Sequence, residues 1–208
     1  MCLTYPGRSG LLAAPVLGRL AHLDLLVPRR VKVKALDNTA AQDAAGVFQR
    51  AFTAAEGEAE GTRIATLVKQ LCSSLGGKDV VCFGAFQNGE LVGSIFFTRL
   101  HFRTDRRIVM LAPVAVDTGH QQQGIGKTLI TRGLEIMRDQ GEAVAVTYGD
   151  PGYYGMLGFE PLSERVIKAP LTMTMPEGWL GQSLTAGPIP VITEKPSCVS
   201  AFNNPAYW

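Results

Sequence analysis

The sequence is short of the features that mark several large functional classes. It has four cysteines, Cys2, Cys72, Cys82 and Cys198, with no CxxC pair and no histidine at zinc-ligand spacing. That excludes a disulfide framework or a structural zinc site as the basis of the fold and implies reduced thiols. Cys72 and Cys82 lie in apolar stretches and read as small core residues. No run approaches the ~18 uninterrupted apolar residues of a membrane-spanning helix. The nearest candidate, residues 11–27, is interrupted by Arg19, His22 and Asp24. Charged residues make up only 18% of the chain, and the formal net charge is +2. So near-balanced a charge gives no general case for nucleic acid or an anionic membrane as partner.

What is present is a chain of 208 residues, 46% of them apolar, enough to bury one sizeable core. One domain is the natural count at ~150 residues per domain. Residues 1–30 stand apart, with Arg8, Arg19, Arg29 and Arg30 against the single acid Asp24. An organelle transit peptide shares that bias but carries more serine, so an unstructured extension is expected there. A cytoplasmic protein is the expectation.

Along the chain, Val31 to Ala35 alternates as a half-buried first strand. Thr39 and Gln42 form a capping box that opens an alanine-rich helix to about Phe52. The acidic AAEGEAEG stretch, residues 54–61, reads as a loop. From Thr62, the residues Ile64, Leu67, Val68, Leu71 and Leu75 recur at helical spacing until Gly76 and Gly77. Val80 to Gln87 and Glu90 to Leu100 flank Asn88-Gly89, the strongest short hairpin signal. The basic RLHFRTDRR, residues 99–107, reads as a solvated hairpin tip. Ile108 to Val116 is a third apolar strand in which Pro113 forces a bulge or a failed pairing. Gly124 to Gln140 is an amphipathic helix closed by Gly141, and Ala143 to Tyr148 is a buried strand. That strand, helix and strand form a parallel right-handed unit, so the class is α/β with a mixed sheet. The text after Asp150 is turn-rich, with a further strand-like piece at Leu171 to Met175. Residues 31–175 are expected to form the folded domain, and residues 176–208 to pack on it or trail from it.

The segment Gln121-Gln122-Gln123-Gly124-Ile125-Gly126-Lys127 stands between a strand and a helix. A turn of this kind aims free backbone N–H groups at one point, and the helix dipole adds partial positive charge there. The ligand should carry phosphate. A Walker A loop fails because Gln121 stands where its first glycine belongs, and a dinucleotide fingerprint fails at Leu129. The remaining pattern is [QR]xxGxG, matched by Gln121 through Gly126, followed downstream by Tyr154-Gly155-Met156-Leu157-Gly158-Phe159 in the form Yxx[LF]GF.

With these two motifs in this order, the chain resembles the GNAT superfamily of acyl-CoA-dependent N-acyltransferases, in particular a bacterial subgroup with a GDPxYYxxxGF motif. The likeness is clear from about Val31 to Leu162, fainter at the C-terminal FNNPAYW, and absent from residues 1–30. It implies a mixed, mostly antiparallel sheet with a splayed strand pair and flanking helices. It further implies acetyl-CoA as co-substrate, with no metal. The pyrophosphate would sit on Gln121, Gln122, Gln123, Gly124, Ile125, Gly126 and Lys127, and the pantetheine arm on Val114, Ala115 and Val116. Glutamine at 121, where arginine is common, adds no charge. Tyr154 falls on the family's general-acid position, and a phenol can donate to a departing thiolate.

For the base there are only candidates. Asp150 and Asp117 sit at the carboxyl ends of the splayed strands, and each is equally well explained as a turn or cap residue. His101 and His120 have no visible partner in the sequence and read as surface residues. The implied acceptor is a small-molecule amine or a protein amino group, a homodimer is allowed, and the competing reading is a catalytically silent acyl-CoA-sensing module. The acceptor pocket is expected from residues 53–61 and 163–190.

Overall fold

A computed structural model of the chain describes residues 31–39 and 41–208. The extension expected at residues 1–30 lies outside the described residues, as does the Gln42 side chain of the expected capping box. In chain order the elements are β1 (Lys32–Ala35), α1 (Ala41–Glu56), α2 (Glu58–Cys72), β2 (Val80–Gln87), β3 (Glu90–Arg99) and β4 (Ile108–Val116). There follow α3 (Ile125–Asp139), β5 (Val144–Tyr148), α4 (Pro151–Gly155), β6 (Glu160–Pro161) and β7 (Trp179–Ser183). Short 3-10 turns stand at 118–120, 176–178, 200–202 and 205–207.

The strands form one seven-stranded sheet in the order β1-β2-β3-β4-β5-β7-β6. Every pairing is antiparallel except β4 with β5, where α3 supplies the crossover a parallel pair needs. Strand alternation sorts the side chains to two faces. Phe96, Met110, Val144 and Val146 pack under α1 and α2 with Phe48, Phe52, Ile64 and Leu71. Phe97, Val109, Leu111 and Ala145 pack under α3 with Leu129, Ile130 and Met137. The β2–β3 hairpin turns at Asn88 and Gly89, with φ of 54° and 88°, the two positive values that a type I′ turn requires.

The chain departs from the sequence reading at three places. Residues 54–61 are not a loop: α1 continues to Glu56 and α2 begins at Glu58, so only Gly57 breaks the helices. Alanine and glutamate are strong helix formers, and their acidity disguised that propensity. At Gly61 the helices touch; a Cβ there would stand 1.9 Å from Thr53 Oγ1. Leu171 to Met175 is not a strand either, being held between Pro170 and Pro176 without pairing. The strand is β7, inserted between β5 and β6, where a Cβ at Gly181 would meet the side-chain ends of Ile189 at 2.9 Å and Leu162 at 3.0 Å. The basic stretch is more than a solvated tip: Arg99 reaches the buried Glu142 at 2.5 Å, and Arg107 donates to the carbonyls of Gln140 and Gly141.

Among the described residues no helix is long and apolar enough to cross a membrane. Burial pushes the Cys72 thiol up to about 11 and the Cys82 thiol up to about 12, in keeping with unreactive packing groups.

Candidate active site

The site begins where two strands part. The parallel ladder of β4 and β5 runs from Ile108 opposite Val144 to Leu111 opposite Thr147 and stops there. Thr147 Oγ1 donates to Leu111 O at 2.9 Å at that last rung. β4 nevertheless continues to Val116, still paired with β3. Between the two stretches its register against β3 shifts, opposite Ile95 to Phe97, and the Ala112-Pro113 bond is cis. Beyond the shift Asp117 N donates to Val92 O at 2.9 Å, so residues 115 and 117 turn their backbone groups to β3. Alternation then turns those of Val114 and Val116 to the opposite side, into the opening toward β5. Ala115 is buried, and its backbone serves the sheet.

The phosphate-loop candidate follows directly. Asp117 caps the 3-10 turn at 118–120, accepting from Gly119 N at 3.3 Å, and holds Arg50 of α1 at 2.5 Å. Burial alone would raise its pKa. The hydrogen bonds from Arg50 and Gly119 and the nearby charges of Arg50 and His120 outweigh that and hold it below the ordinary carboxylate value. Gln121 turns its side chain back and donates Nε2 to Val116 O at 3.2 Å, so it braces the end of β4. Gln122 adopts φ 61°, Gln123 makes a long 3.5 Å contact to Gly119 O, and Gly124 caps α3 at φ 77° with no side-chain cap. The first intrahelical bond here runs from Thr128 N to Gly124 O, leaving the N–H groups of Ile125, Gly126 and Lys127 without helical partners. The Ile125 side chain is core, whereas Lys127 is exposed.

α4 brings the phenols. Asp150 accepts from Gly152 N at 2.9 Å as its cap, and the chain turns so that Tyr154 is 3% exposed beside Val114, Val116 and Ile125 in one apolar cluster. Its ring meets Tyr153 edge-on at 5.3 Å and Phe159 at 5.6 Å. Tyr153 is a residue the sequence reading passed over, and the YY doublet was its signal. A Cβ at Gly126 would lie 3.0 Å from its hydroxyl and 3.6 Å from Val116, so helix start, strand end and phenol converge. His101 lies elsewhere, 3.7 Å from Asp79, and the buried Nδ1 of His120 makes no hydrogen bond among the described residues. Among the described residues no group of three or more His, Cys, Asp or Glu is arranged to hold a metal ion.

An open strand edge, unpaired helix N–H groups and a buried phenol in one place suit a ligand with an anionic head and an extended amide arm. The acetyltransferase (GNAT) domain model matches residues 32–162. The chain belongs to the GNAT acetyltransferase family. It is an acetyl-CoA-dependent N-acetyltransferase with a second, acceptor substrate.

Among relatives of this GNAT protein, the uncharacterized N-acetyltransferase YjhQ of Escherichia coli K12 is 34% identical over 133 residues, covering 60% of this chain and 72% of YjhQ. The uncharacterized N-acetyltransferase YhbS of the same strain is 36% identical over 73 residues, covering 35% of this chain and 44% of YhbS. In three dimensions, the crystal structure of Escherichia coli YhbS in complex with CoA aligns at a TM-score of 0.71 and 22% identity, covering 88% of this chain and 97% of YhbS. A Brucella melitensis GNAT acetyltransferase in complex with acetyl-CoA aligns at 0.62 and 22% identity, over 84% of this chain and 99% of that one. At such identities the two structures establish the shared fold.

Proposed function

We propose that this enzyme acetylates a primary amine of a small molecule or a protein, with the donor lying in the opening between β4 and β5. The observation that carries the reading is the end of the β4–β5 ladder at Leu111 and Thr147, with the Val114 and Val116 backbone turned into the gap beside the start of α3. The pantetheine amides would add to β4 as a short extra strand. The pyrophosphate would take the N–H groups of the Gln121 to Lys127 loop, where the helix dipole favours negative charge.

In the reaction the neutral amine attacks the thioester carbon, the C–S bond breaks, the amine gives up a proton and the thiolate accepts one. An alkyl amine is mostly protonated at neutral pH, so deprotonation belongs to the cost of the step. The acid is Tyr154, held by packing against Tyr153 and Phe159. Asp150 is the candidate base, acting directly or through water, with its cap bond to Gly152 fixing the carboxylate at the end of β5. The free thiols of Cys82 and Cys198 favour a reducing cytoplasmic setting.

The test is coenzyme A release from acetyl-CoA over a panel of amines, with Tyr154→Phe alongside the wild type. Release should fall several-fold in the variant while coenzyme binding persists. Equal turnover at saturating acceptor would remove Tyr154 from the chemistry. Thermal stabilisation by coenzyme A with no release for any amine would favour a sensing module.

A further inference from the structure

Tyr153 and Tyr154 follow one another on α4, and successive residues of a helix project about 100° apart. Tyr154 lies in the apolar cluster with Val114, Val116 and Ile125 and is 3% exposed. Tyr153 packs on the margin of the same cluster and stays half-buried. The edge-on contact of its ring with Tyr154 holds the direction of its hydroxyl. That hydroxyl reaches the first turn of α3. The place a Cβ would take at Gly126 lies 3.0 Å from the Tyr153 oxygen and 3.6 Å from Cγ2 of Val116. Three elements, α4, α3 and β4, therefore bound one small space that the glycine at 126 leaves open.

The two parts of the proposed donor site meet at this space. Val116 is the last residue of β4, and Gln121 Nε2 donates to its carbonyl at 3.2 Å. Gly126 stands in the turn whose N–H groups have no helical partners. With the pantetheine arm on β4 and the pyrophosphate on the start of α3, the joint between arm and phosphate passes in front of Gly126. Side chains of the loop itself are engaged in other directions: Gln121 reaches Val116 O, Gln123 reaches Gly119 O, and Ile125 is core. A phenol brings an O–H donor to this point at neutral pH. A hydrogen bond from it to an ionised phosphate oxygen is of the stronger, charge-assisted kind.

We propose that Tyr153 is a donor-binding residue: its hydroxyl donates to the phosphate that joins the pantetheine arm, and so sets how deeply the arm enters the gap. The two neighbouring phenols divide the work, Tyr153 holding the donor and Tyr154 serving the departing thiolate. This rests on the placement of the donor proposed above, but not on acetyl transfer.

Tyr153→Phe keeps the ring and removes the oxygen, and three ligands read the loss by isothermal titration: coenzyme A, 4′-phosphopantetheine and pantetheine. The Kd of the variant should rise about tenfold for coenzyme A and for 4′-phosphopantetheine, and stay within about twofold for pantetheine, which has no phosphate. In the acetyl-transfer assay the KM for acetyl-CoA should rise with the Kd while kcat at saturation stays within about twofold, the reverse of Tyr154→Phe. An unchanged affinity for coenzyme A overturns the inference. So does an equal loss for pantetheine, the sign that ring packing and not the hydroxyl was at stake, and so does a fall in kcat at an unchanged KM. Gly126→Ala separates this inference from the placement beneath it. Coenzyme affinity that responds to Gly126→Ala but not to Tyr153→Phe removes the tyrosine contact and leaves the placement standing; affinity that responds to neither removes both. A tenfold loss in Tyr153→Phe, with no coenzyme release from any amine in the wild type, supports the contact and removes the acetyl-transfer reading.

Discussion

Replacing Gly126 by alanine separates folding from donor binding, because the two effects have opposite signs. Gly126 is the second residue of α3 and has an ordinary helical φ, so alanine brings no backbone strain and a helix-propensity gain of up to ~1 kcal/mol. The new Cβ meets the Tyr153 hydroxyl at 3.0 Å, the far end of a side chain that can give by a few tenths of an ångström. The melting temperature should therefore change little or rise. Donor binding should suffer, since the methyl occupies the space through which an anion approaches the helix N–H groups. Losing one or two hydrogen bonds to a charged group costs roughly 1.5–3 kcal/mol each. Allowing for partial relaxation, the Kd for coenzyme A should rise about 10- to 100-fold, at 1.4 kcal/mol per decade. The assay is isothermal titration with coenzyme A and, in parallel, with pantetheine, which lacks the pyrophosphate. Only the coenzyme should weaken. An unchanged coenzyme affinity, or an equal loss for pantetheine, would refute the assignment of the loop. Adding Tyr153→Phe to the alanine variant removes the 3.0 Å contact; recovery of coenzyme affinity would show that the damage ran through the tyrosine and not through the anion.

Two further outcomes follow from the packing and the charges. Gly61→Ala gains helix propensity but sets a Cβ 1.9 Å from Thr53 Oγ1 and 2.9 Å from backbone atoms of Gln49 and Thr53, so overpacking at about 1–3 kcal/mol should win. Thermal melts should fall by several degrees, with partial recovery in Gly61→Ala/Thr53→Ala; an undiminished melting temperature would contradict the α1–α2 contact. Asp117 has a lowered pKa in the fold, so it stabilises above its unfolded value near 3.8 and that stability is lost as pH falls through the depressed folded value. Because Arg50 is 58% exposed, the contribution should be only about 0.5 kcal/mol and weakened by salt. The melting-temperature gap between wild type and Asp117→Asn should close between about pH 5 and pH 3, within the acid range given by the reference carboxylate pKa; a gap that widens on acidification would reverse the sign.

The donor half of the proposed site is written in contiguous text. Gly124 and Gly126 signal a helix start free of side chains, Pro113 signals a ladder that must fail, and Tyr154 stands four residues before Gly158 in a recognisable motif. Local chemistry decides each of these, so the sequence alone exposes them. Residues 54–61 looked like an acidic loop because charge was weighed over helix propensity. The packing around the end of β5 is assembled from pieces far apart in the chain. Tyr207 and Trp208 have no periodic pattern, and only the packing of Trp208 on Tyr148 and Trp179 reveals where the chain end goes. β7 was hidden for a similar reason: Gly181 and Gln182 have low strand propensity, and their place in the sheet comes from pairing with the distant β5.

The register shift in β4 accounts for more than the parting of two strands. Before it, Leu100 N donates to Ile108 O, which turns residues 108 and 110 to β3 and residues 109 and 111 to β5. After it, residues 115 and 117 face β3, so the even-numbered Val114 and Val116 face the gap. One extra residue on β4 thus reverses the parity of the strand, so that Val114 and Val116 face the gap in place of residues 113 and 115. β5 ends at Tyr148, one residue past the last rung, while β4 runs on to Val116; without the extra residue the side chains of that last stretch would exchange faces. Beyond the bulge β4 thus combines renewed pairing with β3 and an edge unpaired toward β5, open to a ligand. Gln121, donating to Val116 O from the phosphate loop, then sets that edge at a fixed distance from the start of α3. On the proposed placement of the donor, its arm and its anion would be positioned by one continuous piece of backbone.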